Sequence, residues 1–112
     1  MSDLDIHRGD IWWVSLDPPQ GSEIKKTRPC VVLTHDTLNR LCRTVVVIPL
    51  STAAKPHPPI RVPVLCQNAP AVAIIDQIRA VAKHRLKSKI ETLAVDELDE
   101  LCQAVSTILE LR

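Results

Sequence analysis

Arg28 stands immediately before a proline, in the run Thr27-Arg28-Pro29. A residue before proline is pushed toward extended backbone, so this guanidinium is held where a loop enters a strand. There it can fork two donors onto phosphate oxygens, or pair at the surface with Glu23 of the preceding loop. Ser51 and Thr52 follow the apolar run Thr44–Leu50. Either hydroxyl can donate to a phosphate oxygen, or cap a turn as hydroxyls after strands commonly do. Lys25, Lys26, Lys55, Arg61 and Arg79 are further candidates for phosphate contact. His35, His57 and His84 have no spacing that implies proximity to one another.

Net charge is only +1, yet Ile24 to Val95 holds twelve Lys/Arg against three acids, Asp36, Asp76 and Glu91. That segment carries +9 and the two ends together −8. Such asymmetry points to a polyanionic partner for the middle, or to a surface on which the charges interleave in space. The four cysteines, Cys30, Cys42, Cys66 and Cys102, form no C-x-x-C pair and have no histidine at zinc-finger spacing, so no metal site is expected. Cys30 and Cys102 lie in apolar runs and read as small buried hydrophobes. Gly9 and Gly21 are the only glycines, too few for a phosphate-binding loop of the dinucleotide or NTPase type.

The elements that must position these groups are short. The chain has 112 residues, 46% apolar and 24% charged, and is expected to form a single domain over 1–112. Nine prolines favour a loop-rich β architecture, and Trp12 and Trp13 are the only aromatic residues. Val, Leu, Ile and Ala must therefore build the core. Strands are expected at Ile11–Leu16, Pro29–Thr34, Thr44–Leu50 (broken near Pro49), Ile60–Leu65 (an edge, because of Pro63) and Ala71–Val81. Trp12 and Trp13 must face opposite sides of the first strand. Asp17–Thr27 and Ser51–Pro59 read as loops, and a turn is expected around Asp36, Asn39 and Arg40. Lys83–Leu93 predicts a short helix, from Leu86, Ile90 and Leu93. Leu98, Leu101, Cys102, Val105, Ile108 and Leu109 predict an amphipathic helix over about Asp96 to Glu110. The start of the chain carries no signal-peptide pattern and no apolar run is long enough to cross a bilayer, so a cytoplasmic protein with reduced thiols, without a membrane association, is expected.

The ordered set R-G-D-I-W-W-V-S-L-D-P at Arg8–Pro18, G-S-E at Gly21–Glu23, R-P-C-V-V-L at Arg28–Leu33, D-T-L-N at Asp36–Asn39, V-V-V-I-P-L-S-T at Val45–Thr52, D-Q-I-R at Asp76–Arg79 and K-H-R-L at Lys83–Leu86 resembles the MazF/PemK family of bacterial toxins. The resemblance runs along essentially the whole chain. It implies a mainly β, α+β fold: an SH3-like small β-barrel with a short helix and a C-terminal amphipathic helix, forming a homodimer. It implies the toxin of a type II toxin–antitoxin system, a metal-independent endoribonuclease that cuts single-stranded RNA, mostly mRNA, at a short sequence without a cofactor. Its partner would be an antitoxin with an acidic, partly disordered C-terminal segment that occupies the RNA groove.

Metal-free RNA cleavage uses the substrate's own 2′-OH as nucleophile and leaves a 2′,3′-cyclic phosphate and a 5′-OH. The protein must move two protons and stabilise charge on the phosphorane. The resemblance makes Arg28 the central catalytic residue and Ser51 its hydroxyl partner, with Thr52 one residue away. An arginine pKa above ~12 argues against a neutral guanidine as base. Arg28 is expected to stabilise the transition state and donate a proton. The base is left open, with His57 in reserve. Glu23, Lys25, Lys26, Thr52, Lys55, His57, Gln77 and Arg79 are expected to contact RNA, Gln77 through a base edge and the lysines through phosphates. Asp76 should point to the opposite face of the strand from Gln77. An exposed tryptophan can stack a base, although a core or dimer-interface position also fits. The alternative is a CcdB-like, non-enzymatic toxin on the same fold that binds DNA gyrase. Such proteins depend on an aromatic-bearing C-terminal end, whereas this chain ends I-L-E-L-R.

Overall fold

The protein is described from a computed structural model covering residues 5–16 and 27–111. In chain order the elements are β1 (Asp10–Ser15), β2 (Thr27–Val32), α1 (Asp36–Leu41), β3 (Thr44–Ser51), β4 (Arg61–Cys66), β5 (Ala69–Ile74), β6 (Arg79–Ala82), β7 (Leu86–Thr92) and α2 (Val95–Ile108). The strands run in the order β4-β5-β3-β2-β1-β7, and β6 also pairs with β3. Every pairing is antiparallel. The result is a mostly β half-barrel with one main helix, the expected α+β class.

The long strand β3 organises this sheet. One of its edges holds β2 along Val47–Pro49. Its other edge takes β6 along Thr44–Val47 and then β5 at Leu50–Ser51. Both faces of the central strands are covered, which is why their sequences read as continuous apolar runs and not as alternation. Ile11, Val31, Ile48 and Leu50 face α2 and meet Leu98, Leu101 and Ala104. Trp12, Val14, Cys30, Val32, Val45 and Val47 face the other way, against Ile6, Leu16, Val81 and Leu86. Trp12 is 3% exposed and Trp13 is 38% exposed, so the two tryptophans do lie on opposite faces.

Four local expectations are corrected. The segment Lys83–Leu93 is not a helix: a 3₁₀ turn at Lys83–Arg85 leads into β7. Leu86 and Ile90 are four residues apart, a spacing that satisfies period two as well as 3.6. Two irregularities in the β1–β7 register then twist the ribbon, so that Leu86 enters one apolar cluster and Ile90 the other. The expected strand Ala71–Val81 is two strands, β5 and β6, separated by a 3₁₀ turn at Ile75–Gln77. Asp76 and Gln77 thus sit on a turn and not on alternate faces of a strand. The expected turn at Asp36–Arg40 is the helix α1. His35 caps it by accepting from the Thr37 N–H at 3.0 Å, and the buried Asn39 amide donates to the Thr34 carbonyl at 2.8 Å. Finally β3 is not broken at Pro49, which lies opposite Cys30. The edge position of Pro63 and the C-terminal helix stand as expected. Among the described residues no helix is long and apolar enough to cross a membrane.

Side chains of α2 and β7 reach β4 and the turn after it. The Leu65 N–H donates to a Glu97 carboxylate oxygen at 2.9 Å, and the Gln67 N–H donates to Glu91 of β7. At the same end of β7, Gly9 links β2 to the residue that follows β7. Its N–H donates to the Val32 carbonyl and its own carbonyl accepts from Leu93, both at 2.8 Å. Gly9 has φ +94°, and a Cβ there would lie 3.1 Å from Leu98 Cδ2. Gly9→Ala is expected to cost about 1–2 kcal/mol from the backbone alone, read as a lower urea midpoint at unchanged m-value.

Candidate active site

The β2–β3 register sets Cys30 opposite Pro49 and Val31 opposite Ile48. Beyond that ladder Arg28, near the start of β2, and Ser51, at the end of β3, line the same clefts. Pro29 stiffens the β2 side of this junction. The β3 side ends in a turn that Ser51 itself caps: its Oγ accepts from the Ala53 N–H at 3.1 Å and from the Ala54 N–H at 3.2 Å. With two donors aimed at its lone pairs, the hydroxyl keeps its proton for an outside acceptor. The turn-capping role is therefore real and is compatible with donation to a bound anion.

Arg28 and Ser51 are shared by two clefts. The first, about 570 Å³, is lined by Arg28, Arg61, Arg79, Gln77, Ser51 and apolar neighbours including Leu16 and Ile74. Three guanidiniums converge there, and no carboxylate lines the cleft among the described residues. The fold explains the convergence. Arg79 is paired with Val47 across β6–β3. Arg61 starts β4, and Gln77 ends the 3₁₀ turn between β5 and β6. The second cleft, about 410 Å³, lies on the other side of the Arg28–Ser51 pair and is mostly apolar, with Trp13, Pro29, Cys66, Pro70 and Ile90 in its walls.

Cys30 is buried directly beneath the cationic cluster. Its thiol is pushed up to about 12 by burial, against the pull of the Arg79 and Arg28 charges. It stays protonated at neutral pH and is no nucleophile. Cys102 is only half-buried, contrary to expectation, and its Sγ accepts from an Arg8 guanidinium N–H at 2.8 Å.

Of the residues singled out from sequence, Arg28, Ser51, Gln77 and Arg79 line the first cleft, with Arg61. Thr52 lines only the second. Lys55 and His57 are exposed in the loop after Ser51 and line neither cleft. His57 instead makes a backbone bridge to Arg61. Glu23, Lys25 and Lys26 lie outside the described residues. Sequence reasoning passed over Gln67, which lines the second cleft, although its position before Asn68 in a hairpin turn was a usable signal.

The model of the PemK-like, MazF-like toxins of type II toxin–antitoxin systems matches residues 7–109. The endoribonuclease MazF9 of Mycobacterium tuberculosis is 36% identical, over 95% of this chain and 98% of its own length. The chain belongs to the PemK/MazF toxin family. Solved structures agree at the level of the fold. A MazE–MazF crystal structure from Deinococcus radiodurans superposes with a TM-score of 0.83 at 22% identity, covering 96% of this chain and 97% of that one. A MazF crystal structure from the same organism gives 0.79 at 21% identity, covering 94% of this chain and 96% of that one. In this PemK/MazF chain, the pair that shares both clefts, Arg28 and Ser51, is the pair that the family resemblance marks in the sequence.

Proposed function

We propose that the chain is the endoribonuclease toxin of a type II toxin–antitoxin pair, and that it cuts single-stranded RNA, mRNA above all, by assisting attack of the 2′-OH on the adjacent phosphorus. The single observation that carries this reading is the convergence of three guanidiniums and a proton-bearing hydroxyl on one open cleft. The relative named as an endoribonuclease supports it. A phosphodiester in the cleft meets the Arg28 fork on its non-bridging oxygens, where charge grows toward the phosphorane. Ser51 donates to a second oxygen. Arg61 and Arg79 hold flanking phosphates, and Gln77 meets a base edge. The 2′-OH loses its proton as the P–O2′ bond forms and the 5′-oxygen takes one up as the P–O5′ bond breaks, so no net proton is consumed, and the products carry a 2′,3′-cyclic phosphate and a 5′-OH. No metal ion or cofactor takes part.

The reaction is placed in the cytoplasm, on a homodimer that pools two basic grooves. The partner is an antitoxin whose acidic segment mimics RNA phosphates, in keeping with the MazE–MazF pairing of the Deinococcus relative. The test is purified protein with mixed-sequence RNA in excess EDTA. Cleavage to cyclic-phosphate ends is expected. Intact RNA together with gyrase-dependent DNA breaks would instead support the gyrase-binding alternative. Ser51→Ala should slow cleavage about tenfold or more and cost about 1 kcal/mol, because the Ala53 and Ala54 amides lose their acceptor. Ser51→Thr should keep both the rate and the stability. Single-turnover cleavage and urea titration read the two effects.

A further inference from the structure

The second cleft differs in chemistry from the first. Among the described residues Arg28 is its one charged side chain, and Ser51, Thr52 and Gln67 are its other polar ones. The rest is apolar, with the exposed face of Trp13 set between Pro29 and Ser88 on the neighbouring strands. Flat apolar walls with a few polar groups at one rim suit a nucleobase, which has two π-faces and a polar edge. The rim is rigid. Gln67 and Asn68 both take left-handed backbone, φ 54° and 61°. That is the backbone of a two-residue hairpin turn closing β4 and β5, and the Gln67 N–H also donates to Glu91. The cleft is also continuous with the cationic one, through Arg28, Leu50 and Ser51.

We propose that the second cleft is a nucleobase pocket, taking the base next to the severed phosphate between the Trp13 ring, which stacks on it, and the Gln67 side-chain amide, which reads its edge. This rests on the ribonuclease reading above and adds the residues that set base preference. With the phosphate on Arg28 and Ser51, an unstacked neighbouring base has an apolar surface within reach on that side. A base fits the cleft better than a peptide carboxylate segment does, since the lining among the described residues is mostly apolar, with a polar rim at Thr52 and Gln67.

The full chain supplies its own probe. Trp12 and Trp13 are the only aromatic residues, and Trp12 is buried with its indole N–H on Asp10 at 3.2 Å. A single-stranded oligonucleotide with a 2′-deoxy ribose at the mapped cut position should quench tryptophan emission in the wild type and not in Trp13→Leu. With the matching all-RNA substrate, Trp13→Leu should raise KM roughly tenfold or more, the size expected for one lost stacking contact, with kcat changed less than threefold. Gln67→Gly suits the backbone at that position. It should keep the fold and relax the cut-site preference about tenfold at one position adjacent to the cut. If both variants cut the wild-type sites with the wild-type KM, the pocket is overturned while the nuclease stands. If Trp13→Leu merely turns a dimer into a monomer by light scattering, and Gln67→Gly keeps the wild-type site preference, the surface belongs to a second copy and the pocket is again overturned. A wild type that is quenched by the oligonucleotide but never cuts RNA overturns the nuclease reading alone.

Discussion

Replacing Arg28 by alanine is expected to slow RNA cleavage at least ~100-fold while leaving the fold in place. The size follows from what the side chain does. Removing one preorganised donor from a site of developing charge costs about 2.7–4 kcal/mol in activation free energy. Arg28 is half-buried near the start of β2, before Pro29, and lines both clefts with Ser51. Arg61 and Arg79 line the first cleft but start from β4 and β6. Their loss should weaken RNA binding and flatten its salt dependence, with a smaller effect on the bound rate. Arg28→Lys should recover little, because an ammonium cannot make the fork. Single-turnover cleavage with saturating enzyme separates the two classes. An Arg28→Ala protein that cuts at the wild-type rate would remove this residue from the chemistry.

Asp10→Ala is expected to cost about 1–3 kcal/mol, a substantial part of the stability of a domain this size. Asp10 is 1% exposed and holds four partners. One carboxylate oxygen accepts from the His7 N–H at 2.9 Å and from the Trp12 indole N–H at 3.2 Å. The other accepts from the Thr92 hydroxyl at 3.3 Å and lies 3.3 Å from Lys89 Nζ. Removing it strands a buried indole N–H and leaves Lys89 without its ion-pair partner. Asn, which keeps the shape and an acceptor but not the charge, should lose less. Urea unfolding of the two variants gives the comparison. Equal midpoints for Asp10→Ala and wild type would mean that water satisfies these groups.

The legible parts of this protein were those governed by local chemistry. Strands β1 to β4 announce themselves by β-branched runs closed by prolines, and α2 by its apolar stripe and acidic first turn. Arg28 and Ser51 were singled out through the family resemblance; the residues alone offered a guanidinium fixed before a proline and a hydroxyl after a strand, each with a surface reading beside it. The misread parts depend on contacts distant in sequence. Nothing within Ala71–Val81 shows that β3 will hold its first half and its last half at different places along one edge. Nothing in Leu86–Thr92 shows that β1 will pair with it through a shifted register. Asp10 was invisible for the same reason: its partners lie at positions 7, 12, 89 and 92. The arginine cleft was foreseen as a charge excess, but its geometry comes from three separate strands.

The carboxylates of Glu91 and Glu97 have a bearing on how this protein behaves in a crowd. A terminal strand with free amides is a template on which another chain can add. On β4, the outward amide of Leu65 and that of Gln67 just past the strand's end are already engaged by acids from the far side of the molecule. A copy of this chain on its own is therefore guarded against fibrous self-association along that seam, and the guard is made of charge instead of more backbone.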